Sequence, residues 1–253
     1  MKITFLGTGT SQGVPVIACD CDVCLSNNTK DKRLRSSILI ESDAHSVVID
    51  TGPDFRQQML RENVQKIDAV LFTHEHKDHI AGLDDVRAFN FKHKMDMPIY
   101  ASRRVQEALR REFHYVFSDD KYPGIPRLDL FDITEDRIEI GDLSIQPLDV
   151  MHYKLPVKAF RVGEFTYITD ANSIPEESFE KIKGTKTLVI NALRKEDHIS
   201  HFTLDQAIEI ANKLGVETCY LTHISHLMGK HDEVSQELPD NVFIAYDGLQ
   251  IDA

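Results

Sequence analysis

The sequence predicts an α/β (α+β) chain arranged as a four-layer αββα sandwich. Three observations predict it. Short β-rich runs alternate with helical ones along the chain. These runs fall into two β-rich halves, each with its own helices, which suits stacked layers better than one doubly wound sheet. Several apolar runs also end directly on a histidine or aspartate, at the carboxyl ends of strands where α/β proteins build their sites.

Taken in order, strands are expected at residues 3–7, 37–41, 46–50 and 69–73, with a helix at 55–62 between the third and fourth. A helix-like segment follows at 80–89, with the helix itself expected at 84–91, then a short strand at 99–101 and a helix at 103–113. Residues 118–127 contain Pro123, Gly124 and Pro126 and read as a loop between the halves. The second half offers strands at 144–149, 159–162, 165–169, 187–191, 218–222 and 242–245, with helices at 176–183 and 204–214. The last helix is amphipathic, placing Leu204, Ile208, Ala211 and Leu214 on one face. No low-complexity segment or repeat of 20–50 residues interrupts this pattern.

Bulk properties narrow the function classes. The 253 residues are 42% hydrophobic, enough for a sizeable core without cross-links. No run of 18 apolar residues marks a membrane span, and the N-terminal apolar stretch is too short for a signal peptide. A cytoplasmic protein with no membrane partner is expected. The net charge of −12 disfavours extended nucleic-acid binding, which needs a basic face. It leaves room for a small phosphorylated substrate, because bound metal ions bring their own positive charge.

The run Thr73-His74-Glu75-His76-Lys77-Asp78-His79 places four metal-grade ligands within six residues. Imidazole nitrogen and carboxylate oxygen suit zinc and its divalent neighbours. So dense a run overfills one closed tetrahedral site, which predicts two metals. Later strands end on His152, Asp170 and His223. Any one of these, alone, reads as a hydrogen-bonded histidine or a turn aspartate. Seven in fitting positions point to a shared site.

This pattern resembles the metallo-β-lactamase superfamily of dinuclear hydrolases. The resemblance runs from Leu6-Gly-Thr-Gly9 to Asp247-Gly248 and implies one domain of that fold over residues 1–253. It implies one metal on His74, His76 and His152, a second on Asp78, His79 and His223, and Asp170 bridging the two. Zinc and manganese both fit such ligands. Asp50 resembles the acid that the family keeps behind a metal histidine, and it also reads as a turn aspartate before Gly52. Asp78 in this run points to hydrolysis rather than to the oxygen chemistry of di-iron relatives.

Cys19-Asp-Cys21-Asp-Val-Cys24 brings three thiols together. Four cysteines in a chain expected in the cytoplasm favour metal over disulfides. A structural zinc needs a fourth ligand, and His226 is preferred to Cys219, which reads as a core thiol in an apolar strand.

The thiol run together with the histidine run and Thr222-His-Ile-Ser-His226 resembles, more narrowly, the phosphodiesterases of bacterial phosphonate breakdown, which open phosphoribosyl 1,2-cyclic phosphate. That group also resembles tRNase Z in its core and is typically homodimeric. The resemblance implies a catalytic histidine in His198-Ile-Ser-His201-Phe-Thr203. His201 is the better match and His198 the local competitor, while Thr203 reads as a helix cap. A phosphodiesterase acting on a small, cyclic phosphodiester through metal-activated hydroxide is therefore expected. Asp170 and Asp78 would order the metals, and His201 would be the acid. A tRNase Z-like endoribonuclease is the alternative. No Gly/Pro-rich arm for gripping tRNA is visible in the sequence. Arg161, Arg194 and Lys195 lie near ligand histidines in sequence and read mainly as surface charge.

Overall fold

Strict side-chain alternation along the strands sorts the apolar residues into three separate cores. The structure is a computed structural model describing residues 1–119, 122–134 and 136–253. Its strands are β1 (Lys2–Gly7), β2 (Ser37–Glu41), β3 (Ser46–Ile49), β4 (Ala69–Leu71), β5 (Met97–Ala101) and β6 (Leu128–Asp132). They continue as β7 (Ile138–Ile140), β8 (Leu143–His152), β9 (Leu155–Val162), β10 (Phe165–Ile168), β11 (Thr187–Asn191), β12 (Thr218–Thr222), β13 (Val242–Ile244) and β14 (Gln250–Asp252). Among the described residues they form two seven-stranded sheets, ordered β14-β1-β2-β3-β4-β5-β6 and β13-β12-β11-β10-β9-β8-β7.

Ile3, Phe5, Ile38, Ile40, Ile49 and Leu71 of the first sheet meet Ile145, Phe160, Phe165 and Val189 of the second in a central core. The alternate residues face outward. Leu39, Val48 and Val70 pack with Phe55, Phe89 and Leu109, whose helices are Phe55–Arg61, Arg87–His93 and Arg103–Glu112. On the far side, Val157, Ile168, Leu188, Ile190 and Leu221 pack with Leu204, Ala207 and Ala211 of helix Leu204–Leu214. Three cores between four layers are the αββα sandwich that the alternating pattern predicts. Each fully buried aliphatic or aromatic side chain contributes about 1.5–3 kcal/mol to this packing.

Helix Leu204–Leu214 shows how local sequence sets an element. Thr203 caps its N-terminus in a reciprocal capping box with Gln206, and Gly215 ends it at φ 63. The helix-like stretch after the ligand run is broken instead into Lys77–Ile80, a 3-10 turn Leu83–Val86, and Arg87–His93. Gly52 and Gly82 explain the break. A Cβ on Gly52 would lie 2.1 Å from the Asp78 carbonyl oxygen, and one on Gly82 would lie 2.1 Å from that of Gly52. The backbone is therefore packed against itself beneath the ligand run, with Thr51 donating to the His79 carbonyl at 2.7 Å.

The expected loop at 118–127 includes positions 120 and 121, which lie outside the described residues. It does not separate the halves. Leu128–Asp132 still pairs in parallel with β5, so the crossing between sheets falls after β6. No helix among the described residues is long and apolar enough to cross a membrane.

Candidate metal centre

β3 to β6 run parallel in the first sheet, and β10 to β13 run parallel in the second. Their carboxyl ends meet at one rim, where Lys158 of β9 donates to the Thr73 carbonyl at 3.0 Å and Ile224 donates to that of Thr8 at 2.8 Å. Strand ends β3, β4, β8, β10 and β12 therefore bring Asp50, the 74–79 run, His152, Asp170 and His223 together. Asp50, Asp170 and His223 all sit in the left-handed region, at φ 65, 56 and 57. Non-glycine residues rarely adopt it, and such strain gathers at functional sites.

Ligand atoms of His74, His76 and His152 lie within 4.8 Å of one another, as do those of Asp78, Asp170 and His223, and those of His74, His79 and Asp170. His74 Nε2 and His76 Nδ1 are 3.0 Å apart. Asp170 Oδ2 lies 3.2 Å from both His79 Nε2 and His223 Nδ1, and the same carboxylate also groups with His74 and with His152, so it reaches both sides of the cluster. His79 Nε2 is fully buried and has no hydrogen bond, although Asp78 Oδ2 is 3.2 Å away. Crowded lone pairs with few protons between them, around an orphaned ring nitrogen, are the donor set of a divalent cation site.

The electrostatics agree with the geometry. Burial, and then His79, push the His74 imidazole well below its usual range and keep it neutral. Burial and His201 lower His223 to about 4, against the pull of Asp170. For His79, burial opposes the charged form. Asp170, Asp78 and Asp50 outweigh it, and its affinity for a proton is raised well above normal. That proton supplies the positive charge a metal ion would bring, so binding would displace it.

Around the ligands, Asp50 accepts from His79 Nδ1 at 2.7 Å and from the Thr73 amide and hydroxyl at 2.9 and 2.8 Å. His152 Nδ1 donates to the Ser200 carbonyl at 2.8 Å. The sequence reading missed Ser36 and Thr10. Ser36 Oγ donates to the Gly9 carbonyl at 3.0 Å and lies 3.2 Å from His223 Nδ1, with Thr10 Oγ1 3.3 Å from Nε2. Nothing in their local sequence marks small hydroxyl residues of this kind.

His201 reaches the cluster as well. Its Nε2 is 3.3 Å from Asp170 Oδ1, its ring stacks on His223 at 5.0 Å, and Nδ1 lies 3.1 Å from His198 Nδ1. His201 is buried, whereas burial, His201 and Arg194 lower the more open His198. His152, Asp170 and His201 also lie within ligating distance of one another. Arg161, Arg194 and Lys195 are turned to other work: Arg161 binds the carbonyls of Gly163, Lys181 and Lys183, Arg194 those of Glu196 and Asp197, and Lys195 pairs with Glu237.

A second cluster joins Cys19, Cys21, Cys24 and His226, with all four ligand atoms within 4.8 Å. His226 Nδ1 is 3.3 Å from both Cys19 Sγ and Cys21 Sγ. The Cys24 amide, and then His226, lower the Cys21 thiol to about 6, whereas burial raises Cys24 to about 11. Cys219 is buried in the outer core under helix Leu204–Leu214 and is not part of this cluster.

A family model described as the beta-lactamase superfamily domain matches residues 45–224. The chain is 41% identical over 253 residues to an octanoyltransferase of Porphyromonas gingivalis, covering 99% of this chain but 51% of that protein, so it spans about half the length of that relative. It is 24% identical to a ribonuclease Z of Methanopyrus kandleri over 99% of this chain and 97% of that protein. Among solved structures, a diphosphatase of the PhnP family superposes with a TM-score of 0.93 at 39% identity, covering 100% of this chain and 97% of that one.

Proposed function

The chain belongs to the β-lactamase superfamily, whose fold binds divalent metals for hydrolysis, and from that premise we propose that it hydrolyses a small, cyclic phosphodiester. In this reading residues 1–253 work as one catalytic unit. His74, His76 and His152 would hold one divalent ion, Asp78, His79 and His223 would hold a second, and Asp170 would be shared between them. Cys19, Cys21, Cys24 and His226 would hold a structural zinc. Zinc and manganese both suit the catalytic ligands. The thiols of the zinc clip fit a reducing, cytoplasmic setting.

When bound, the two ions would neutralise charge on the phosphoryl oxygens and lower the pKa of water toward ~7. The remaining work falls to the protein. Asp50 fixes the His79 tautomer, so that Nε2 faces the cluster. Asp170 lies between the two ligand groups, within ligating reach of His79 and His223 on one side and of His74 and His152 on the other. Water adds to phosphorus, the bond to the leaving alkoxide breaks, and His201 gives that alkoxide its proton. Such a donor contributes ~10²–10⁴-fold.

The observation that carries this reading is the position of His201, outside the seven-ligand set yet 3.3 Å from Asp170. A poor alkoxide leaving group needs such an acid. The diphosphatase and the ribonuclease Z that this chain resembles are both named for cleaving phosphate esters or anhydrides. The name octanoyltransferase describes a protein about twice this length, and acyl transfer is not carried over.

The test is turnover of bis(4-nitrophenyl) phosphate and of 2′,3′-cyclic nucleotides by the metal-loaded protein, with and without chelator, beside a tRNA precursor. Chelator-sensitive cleavage of the small esters is expected. Cleavage of the tRNA precursor alone would replace this reading with the ribonuclease one.

A further inference from the structure

Leu6-Gly-Thr-Gly9 and Asp247-Gly248 lie near opposite ends of the chain and supply no residue to either ligand cluster. The fold brings them into contact. The Asp247 side chain is only 8% exposed. Its Oδ1 accepts from the Thr8 amide at 2.9 Å and from the Thr8 hydroxyl at 2.8 Å. Its Oδ2 accepts from the Leu34 amide at 2.8 Å and from Arg61 at 3.2 Å. One buried carboxylate therefore clamps two chain segments that are far apart in sequence.

The glycines on either side of Thr8 let those segments meet. A Cβ on Gly7 would lie 2.0 Å from the Arg35 carbonyl oxygen, and one on Gly9 would lie 2.9 Å from that of Arg33. The Gly9 amide donates to the Leu34 carbonyl at 2.8 Å, so the two segments run side by side.

Between them they hold His223. The Ile224 amide donates to the Thr8 carbonyl at 2.8 Å, and the Thr10 amide donates to the Ile224 carbonyl at 3.1 Å. The segment 8–10 is thus zipped to the residue that follows His223. Each segment then places a hydroxyl against the ring, Ser36 Oγ 3.2 Å from Nδ1 and Thr10 Oγ1 3.3 Å from Nε2. The other half of the cluster hangs on different supports. His152 is tied to the Ser200 carbonyl, and His74 and His76 stand on the turn after β4.

We propose that Asp247 is a positioning residue for one ion of the pair. Through Thr8 and Leu34 it sets the affinity of the position formed by Asp78, His79 and His223, and it leaves the position formed by His74, His76 and His152 nearly untouched. Without the carboxylate, buried donors on both segments lose their acceptor, and the support of His223 slackens while that of His152 stays. The proposal rests on the two-ion reading of the cluster and is independent of the substrate.

The experiment uses crystals of the metal-loaded protein, in which each ion position is seen separately. Wild type and Asp247→Asn are equilibrated against chelator-buffered zinc, and anomalous scattering gives the occupancy of each position as free zinc is lowered. Asparagine keeps the size, but its amide nitrogen cannot accept from Leu34. The His223 position of the variant is expected to need about tenfold more free zinc for half occupancy, the low end for a partner standing behind a metal ligand. The His74 position should shift by less than about twofold. Thr8→Val, which removes only the hydroxyl, gives a second reading if Asp247→Asn does not fold, and its smaller shift should fall on the His223 position alone. Equal shifts at both positions would make Asp247 a general support of the fold and overturn the proposal, as would no shift at either. Wild-type crystals that take up zinc at the His74 position alone would overturn the two-ion reading and this assignment with it, a failure recognisable before any variant is made.

Discussion

Asp50 holds His79 through a 2.7 Å hydrogen bond between two side chains that are both fully buried. The bond assigns the ring proton to Nδ1 and leaves Nε2 facing Asp78 and Asp170. Asp50 itself touches no other member of the ligand cluster. Its replacement should therefore act through metal affinity. Asp50→Asn keeps the shape, and by removing the carboxylate it is expected to weaken metal binding by about 10–100-fold. Competition against a calibrated chelator measures this. Unchanged affinity would reduce Asp50 to a turn residue.

His201 occupies a place that fits two roles, because its Nε2 faces Asp170 in a group that could itself hold an ion. Removing a proton donor and removing a ligand have different consequences. His201→Ala is expected to keep both catalytic metals and to lose about 10²–10⁴ in turnover. The loss should be steepest on alkyl esters and mildest on 4-nitrophenyl esters, whose leaving group needs no proton. Metal analysis on the same sample separates the roles, and loss of an ion would make His201 a ligand.

The thiol cluster is joined to the catalytic rim by three residues, since His226 follows His223 on the segment that closes both sites. Cys19→Ser/Cys21→Ser is expected to lose one zinc equivalent while keeping the catalytic pair. Each 1 kcal/mol of clip stability lost should lower the melting temperature by about 2–4 °C. Cys219→Ala should keep every zinc, because that thiol packs in the outer core. Loss of zinc from Cys219→Ala would overturn the assignment of the four ligands.

Gly52 supports the ligand run from below, and the crowding there is backbone against backbone. A methyl group 2.1 Å from the Asp78 carbonyl oxygen cannot be accommodated by turning a side chain. Gly52→Ala should displace the run that carries Asp78 and His79 and lower both metal content and thermal stability. Full metal occupancy at unchanged stability would show that the turn is looser than this packing implies.

Much of this was legible in the sequence because each ligand follows an apolar strand whose burial is forced. His74, His152, Asp170 and His223 each stand where such a strand runs out, so the pattern of apolar runs pointed to the ligand cluster as well as to the fold. The strands that escaped detection share a position. β6 and β14 are the two edges of the first sheet, and β7 is an edge of the second. With one side unpaired, Leu-Asp-Leu-Phe-Asp and Gln-Ile-Asp stay half-exposed and carry polar residues that blur the period. The cations were hard to read for another reason. A surface cation and a cation beside a site look alike in one dimension, and Arg161, Arg194 and Lys195 bind carbonyls or a glutamate elsewhere.

His231 makes stability depend on pH without belonging to either metal cluster. Its ring is buried, with Nδ1 3.4 Å from an Arg33 nitrogen and Tyr246 edge-on at 5.7 Å. Burial, then the charges of Arg33 and Lys30, lower it to about 4, with Asp232 and Asp31 pulling weakly the other way. In the unfolded chain a histidine titrates near 6.5. Between those values the unfolded state takes up a proton that the folded state refuses, so acid favours unfolding. The stability is complete above about pH 6.5, falls as the pH drops toward 4, and stops falling through this group below that. Buried His74 and His223 add slope of the same sign, so the comparison must be between proteins that share them. Melting temperatures of the wild type and His231→Gln, measured from pH 7.5 down to 4.5, should converge toward the acid end, with the variant showing the shallower fall. Parallel curves would mean that His231 is as free to protonate in the fold as outside it.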